Sequence, residues 1–358
     1  MPFAATIFMR IGLLIYGSID TVSGGYLYNR QLVRHLRAQG DTVQIISLPY
    51  RGYWRHLSDN VSWSLQRRLD SAEIDLLIQD EMNHPSLAWL NGRLKRRYPI
   101  ISLVHLLKVT ERHPRWIRPI YQQIESHYLQ SVDGFIVTSQ TTDREIKQRF
   151  SLHKPTVVAV PAGDRFQANA PNVEQATSAD LKLLYVGNVI HRKGLHIVLE
   201  AMVQVPSTTL TIVGPTDVEP AYTEQLRAII GRNQLQSRVE FLGPLDGDGL
   251  IKQYQTADLF VMPAYYESFG IVYLEAMGFG LPTIGTTHGA AHELITHGQN
   301  GYLIEPDDAQ SLAQHLRTLQ TDSTLHAQMR SHAIQRFEAH PTWDASMSRV
   351  RAFLQTMI

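Results

Sequence analysis

Residues 257–278 read Ala-Asp-Leu-Phe-Val-Met-Pro-Ala-Tyr-Tyr-Glu-Ser-Phe-Gly-Ile-Val-Tyr-Leu-Glu-Ala-Met-Gly, with Glu267 and Glu275 on either side of a Ser-Phe-Gly turn. The apolar run 258–263 predicts a buried strand, then a loop, then a helix that starts near Phe269 and Gly270. A helix start offers unpaired N–H groups and the positive end of a dipole, which suit a phosphate. Glu267 falls in the loop. Glu275 falls about two turns into the helix if that helix starts at Ser268. Carboxylates accept hydrogen bonds from hydroxyls such as those of a sugar or a ribose. On these residues alone, Glu267 reads equally well as a helix-terminal charge, and Glu275 as a surface residue.

Working outward, the run continues through Gly280-Leu-Pro-Thr-Ile-Gly285 to Glu293. Together, residues 257–293 closely resemble the retaining GT-B glycosyltransferases of family GT4. In that family a Glu, seven residues and a second Glu mark the donor-sugar site. The resemblance implies that Glu267 holds sugar hydroxyls and Glu275 the ribose. It also places Ser268 and the amides of Phe269, Gly270, Ile271 and Val272 around the donor.

A second strand–loop–helix runs Tyr185-Val-Gly-Asn-Val-Ile-His-Arg-Lys-Gly-Leu195. Gly187 ends the strand and Gly194 opens the helix. Arg192 and Lys193 beside a helix start would clamp a diphosphate, or simply form an exposed basic turn. The resemblance favours the clamp, because a Lys-Gly after this strand is a family mark and falls on Lys193. Many members carry Arg directly after the first Gly, where this chain has Asn188. Arg192 is then the candidate for the second cation.

In the first half, Gly17-Ser-Ile-Asp-Thr-Val-Ser-Gly-Gly25 precedes a long helical pattern, 25–39, that stops at Gly40. Gly24 and Gly25 would let the backbone approach a ligand closely. This is not the Gly-x-Gly-x-x-Gly dinucleotide fingerprint. In GT4 proteins a Gly-rich loop here faces the donor. His105 ends a predicted strand, where open α/β sheets place ligands. The resemblance gives it a contact with the transferred sugar. His84, Asp80 and Glu81 also follow a strand and are weaker candidates.

Three other motifs carry less. Asp246-Gly-Asp248 sits between a strand and a helix and reads as a turn with an N-cap. His288, His292, Glu293 and His297 lack the His-Glu-x-x-His spacing of a zinc helix. Ser151 to Lys154 is an isolated match beside a proline. No metal site is expected.

Predicted strands at 10–16, 42–47, 74–79, 100–105, 134–138 and 156–160 alternate with helices. A second series follows at 181–186, 209–213, 239–242, 259–262 and 282–285. This pattern argues for parallel sheets covered on both faces. At 358 residues the chain is long enough for two domains. The small, polar stretch 164–180 is the predicted linker. The fold expected is α/β, GT-B, with two doubly wound Rossmann-like domains facing a central cleft. The acceptor-side domain would span 1–165, with a last helix at about 343–358 packed back on it. The nucleotide-sugar domain would span 166–342.

The chain has 44% hydrophobic and 18% charged residues and no cysteine, which excludes disulfides, Cys-bound zinc and thiol nucleophiles. No run of about 18 apolar residues suggests a membrane span, and 1–8 reads as a short extension. Residues 1–165 hold 21 Lys+Arg and 14 Asp+Glu (21 − 14 = +7), and the remainder balances this at −7. The stretch 108–121, with Arg112, Arg115, Trp116 and Arg118, joins Arg93, Lys95, Arg96 and Arg97 as a basic, aromatic region. It reads as a contact for an anionic membrane or acceptor, or equally as a solvated helix with its aromatics in the core.

The expected function is that of a metal-independent, retaining glycosyltransferase, hexosyltransferase in type. It would move a sugar from a nucleotide-sugar donor to a hydroxyl acceptor, with an anionic or lipid-linked acceptor favoured. His105, Glu267, Lys193 and Arg192 would carry the chemistry. No cofactor and no nucleic-acid partner are expected. The expected location is cytoplasmic, with peripheral contact at the inner membrane face as an extension. The alternatives are a silent nucleotide-sugar-binding relative that serves as a partner subunit, and a GT-B phosphorylase or epimerase. The choice of nucleotide, sugar and acceptor would lie in loops such as 49–60, rich in Tyr, Trp and Arg.

Overall fold

The computed structural model describes residues 8–95, 97–166 and 180–358. Most of the predicted extension 1–8, most of the predicted linker 164–180, and Arg96 lie outside the described residues. The chain divides into two compact units, Met1–Pro161 with Trp343–Ile358, and Ala162–Thr342.

The first unit is built on β1 (Arg10–Tyr16), β2 (Thr42–Leu48), β3 (Leu76–Asp80), β4 (Ile100–Val104), β5 (Gly134–Val137) and β6 (Thr156–Val158). They lie in the order β2-β1-β3-β4-β5-β6, and all pairs are parallel. The central strands β3 and β4 are buried along their whole length. That burial is why they read as continuous apolar runs rather than alternating ones. The helix Gly24–Ala38 starts where Ser23 accepts the Tyr26 amide, a side-chain N-cap. The last helix, Trp343–Met357, belongs to this unit. Trp343 meets Tyr28 edge-on at 5.6 Å. Arg351 forks onto the buried Asp41 at 2.7 and 3.1 Å.

The second unit holds β7 (Leu181–Val186), β8 (Thr208–Val213), β9 (Val239–Gly243), β10 (Leu259–Val261), β11 (Thr283–Thr286) and β12 (Gly301–Ile304). Their order is β12-β11-β10-β7-β8-β9, again parallel throughout. The strand β12 has no counterpart in the sequence reading. It is four residues long and begins at Gly301, where a Cβ would strike the backbone of Thr283.

In each sheet the chain starts in the interior, builds to one side, then returns to build to the other. The reversal lies between β1 and β3 in the first unit and between β7 and β10 in the second. Loops that leave the carboxyl ends of such a pair frame a crevice, the usual ligand position in open α/β sheets.

Candidate active site

In the second unit the loops after β7 and β10 flank the reversal. Gly187 has φ +151°, and a Cβ there would come within 2.7 Å of the Lys193 amine. Gly194 has φ +72°, and a Cβ there would strike the Pro263 carbonyl. Glycine is thus required at both ends of the loop. Asn188 acts through its backbone, whose carbonyl accepts the Tyr185 hydroxyl at 3.0 Å.

The two loops are tied to each other. The Tyr265 amide donates to the Arg192 carbonyl at 2.8 Å. The Arg192 guanidinium donates to the Tyr266 carbonyl at 2.7 Å and stands 3.8 Å from the Glu267 carboxylate. The Ala290 amide donates to the Glu267 carbonyl at 2.7 Å, and Gly289 lets that backbone approach. The Lys193 amine reaches the Met262 thioether at 3.5 Å, a weak acceptor. Burial lowers its pKa from the usual value; Glu267 opposes this and Arg192 adds to it. The sequence-predicted residues Arg192, Lys193 and Glu267 therefore share one place.

The helix after this loop begins later than expected. It spans Ile271–Gly278, with Gly270 left-handed at its N-cap (φ +85°). The N-cap position requires glycine for a steric reason as well. A Cβ at residue 270 would clash with the Tyr273 ring, and Tyr273 is locked by its hydroxyl to the Met262 carbonyl at 2.6 Å. Ser268 and Phe269 thus belong to the loop, and Ile271 and Val272 supply the helix-start amides. Glu275 is the fifth helical residue, little more than one turn in rather than two.

Nor is Glu275 a surface residue. It is 1% exposed and accepts from Arg165, with Nη2 at 2.9 Å from Oε2. Tyr254 donates to the same Oε2 at 3.0 Å. Arg165 sits in the segment read as linker, so the sequence reading missed it. The boundary between the compact units lies at 161/162, and Gly163 and Arg165 meet this helix.

In the first unit His105 follows β4. Its Nε2 faces the Asn29 carbonyl oxygen at 3.3 Å and Asp80 Oδ2 at 3.6 Å. The Asn29 amide nitrogen donates to Asp80 at 2.7 Å, which leaves the Asn29 oxygen to accept. Two acceptors around Nε2 place the ring proton there. The His105 backbone amide donates to Glu81 at 2.7 Å. Gly25 lies against the imidazole, where a Cβ would stand 3.3 Å from its Cδ2. Gly24 is the first residue of that helix.

Asp80 and Glu81, the weaker candidates, thus frame His105. Burial pushes Asp80 up, but bonds from His105, Asn29 and the Met82 amide outweigh it and hold its pKa below the usual range. Burial, with the charge of Asp80, pushes Glu81 well above the usual range. His84 is a packing residue. It is buried, with Nδ1 toward the Glu81 carbonyl and Nε2 accepting from Tyr53, each at 2.9 Å. Burial lowers its pKa to about 4. Glu125 was missed. It accepts the amides of Lys108 (2.6 Å) and Val109 (3.1 Å) and so shapes the turn after His105. Burial raises it to about 7.

The discounted motifs are ordinary structure. Asp246 is the N-cap residue of the helix Gly247–Thr256, though its side chain makes no capping bond. Among the described residues, no group of three His, Cys, Asp or Glu is placed to hold a metal. No described helix is long and apolar enough to cross a membrane.

With this geometry in hand, the comparisons with known proteins are specific. Residues 167–336 match the family "Glycosyl transferases group 1", and residues 22–163 match "Glycosyltransferase Family 4". A glycogen synthase of Mycobacterium tuberculosis is 29% identical over 70% of this chain and 60% of its own length. A phosphatidyl-myo-inositol mannosyltransferase of Mycobacterium leprae is 25% identical over 98% of this chain and 97% of its own. The crystal structure of Anabaena HepE in complex with UDP-glucose superposes with a TM-score of 0.75, at 19% identity, over 97% of this chain and 100% of that one. The chain spans about 60% of the length of the glycogen synthases it matches.

The fold is that of a GT-B glycosyltransferase. Within that class, the chain belongs to family GT4, the group 1 glycosyltransferases.

Proposed function

We propose that the chain is a retaining glycosyltransferase that moves a sugar from a nucleoside-diphosphate donor to a hydroxyl acceptor without a metal ion. One observation carries this reading. The Lys193 ammonium, with a thioether for its neighbour, lies in a loop that Arg192 ties to Glu267 at the β7/β10 reversal. Two cations there can neutralise a diphosphate as it leaves, the task a metal performs in other transferases. The amides of Ile271 and Val272 add to this. Glu267 would hold sugar hydroxyls, Glu275 the ribose, and His105 would position the sugar. The new glycosidic bond forms as the bond from the anomeric carbon to phosphate breaks. The acceptor proton passes to the leaving phosphate, so no protein base is required. The UDP-glucose bound by HepE supports a nucleotide-sugar donor for this fold.

The acceptor side belongs to the first unit, and an anionic or lipid-linked acceptor suits it. Arg112, Arg115, Trp116 and Arg118 are exposed, Trp116 by 75%. Their exposure favours a contact surface over a solvated helix with its aromatics inside. The lipid in the name of the mannosyltransferase relative supports the same reading.

The test is turnover with UDP-, GDP- and ADP-sugars, with and without EDTA. We expect product from at least one donor, with the anomeric configuration kept and with EDTA making no difference. Loss of activity in EDTA that Mg²⁺ or Mn²⁺ restores would overturn the cationic clamp. Donor binding without turnover on any acceptor tried would favour a silent relative.

A further inference from the structure

The segment that enters the second unit is fastened to the helix that carries Glu275. A Cβ at Gly163 would stand 3.2 Å from the Glu275 amide nitrogen and 3.1 Å from Leu274 Cγ, so only a glycine passes comfortably. Two residues on, Arg165 lays its fork on the carboxylate, Nε to Oε1 and Nη2 to Oε2. The guanidinium also covers the Phe166 ring, 4.3 Å from its centroid. Phe166 in turn packs against Tyr254 and Phe279 at 6.3 and 6.4 Å. Tyr254 adds its hydroxyl to Oε2. The Glu275 side chain has no exposed surface, while that of Arg165 keeps 30%.

This arrangement bears on the ribose. A carboxylate has roughly four acceptor positions, and Arg165 and Tyr254 fill three of them. A ribose presents two vicinal hydroxyls. Both cannot reach Glu275 while all three bonds stand. Tyr254 is buried, so the partly exposed Arg165 is the partner free to move.

We propose that Arg165 is a positioning residue that competes with the donor's ribose for Glu275, and so sets how strongly a nucleotide is preferred in its ribose form. This rests on the reading of Glu275 as the ribose acceptor. Part of the energy a ribose gains at Glu275 goes into loosening the fork. A weaker fork therefore leaves more of it as affinity. Lysine keeps the charge but cannot bind in two places at once.

The experiment is calorimetry on the full chain. UDP, GDP and ADP identify the nucleotide that the wild type binds. That nucleotide and its 2′,3′-dideoxy counterpart are then titrated into wild type, Arg165→Lys, Tyr254→Phe and Glu275→Gln. We expect Arg165→Lys to bind the ribose form about tenfold more tightly than wild type does and the dideoxy form unchanged. Tyr254→Phe should move the ratio the same way by less. Glu275→Gln should bring the two forms together. Should Arg165→Lys fail to fold, Arg165→Gln takes its place. If Arg165→Lys leaves the ratio unchanged or lowers it while Glu275→Gln abolishes the ribose preference, the competition is wrong and the ribose reading stands. If Glu275→Gln keeps that preference, Glu275 is a structural anchor, and both ideas fall.

Discussion

The two sheets are wound alike, yet the loops at their reversals carry contrasting groups. The second unit offers Arg192 and Lys193, with Glu267 beside them. The first offers Asn29, Asp80 and Glu81 around the imidazole of His105. One crevice is cationic, which suits the leaving anion of the proposed reaction. The other is acidic and rich in acceptors, which suits the hydroxyls and positive charge of the same proposal. The scaffold decides where a ligand goes, and a few loop residues decide what it is.

The comparison breaks first at Lys193. If its ammonium meets phosphate, Lys193→Ala should weaken nucleoside diphosphate binding roughly ten- to hundredfold, the loss of one charge-assisted bond. Binding of the free nucleoside should be unchanged. Equal losses for both ligands would show that Lys193 supports the fold and touches no phosphate.

Glu267 separates the sugar from the nucleotide. Glu267→Gln should lower kcat about tenfold, as a charged acceptor becomes a neutral one, and leave nucleoside diphosphate affinity nearly unchanged. A large loss of affinity with kcat preserved would reverse the roles assigned to Glu267 and Glu275.

Sequence reading served the two crevices unequally. Around Glu267 the candidate groups lie in two short strand–loop–helix runs, and both loops were legible. The strand before Glu267 and the loop glycines announced themselves through local pattern. Around His105 the groups come from three separated segments at 29, 80–81 and 105, and no local pattern joins Asn29 to the rest. Three polar residues, Gln79, Asp80 and Glu81, at the end of an otherwise apolar strand were the available signal. The pairing of Glu275 with Arg165 spans 110 positions and had none. The same limit hid β12, an edge strand whose four residues pair with β11 alone among the described strands.

A sharper test of the first unit uses its buried acids. Glu125 titrates at about 7 in the fold, against 4.5 unperturbed. A raised acid favours the fold in its protonated form. Its contribution is full below about pH 4.5 and is lost as the pH rises through about 7. His84 runs the other way: its contribution is full above 6.5 and is lost as the pH falls toward about 4. Over pH 5 to 8, wild type should therefore lose stability relative to Glu125→Gln. The variant should be the less stable at pH 5, by about 1 kcal/mol, since it gives up one amide bond to the 108–109 turn. All five tryptophans, at 54, 63, 89, 116 and 343, belong to the first unit, so denaturation followed by tryptophan fluorescence reads this unit alone. Parallel pH profiles for the two proteins would show that Glu125 keeps an ordinary pKa.

The smallest expected effect concerns the charge difference between the two halves. Residues 1–165 carry +7 and the remainder −7, and the basic side chains at 112, 115 and 118 are exposed beside Trp116. Each basic side chain near an anionic surface contributes about 1 kcal/mol, screened within a Debye length. Co-sedimentation with phosphatidylserine-containing and with neutral vesicles should show binding to the anionic ones alone, reduced by salt. Arg115→Glu with Arg118→Glu should abolish it while leaving nucleotide affinity intact, because the proposed nucleotide site lies in the second unit. Binding that ignores lipid charge, or no binding, would remove the membrane and leave an anionic acceptor in solution. The contrast between the crevices would survive either result, since it rests on Lys193 and His105 and not on the surface charge.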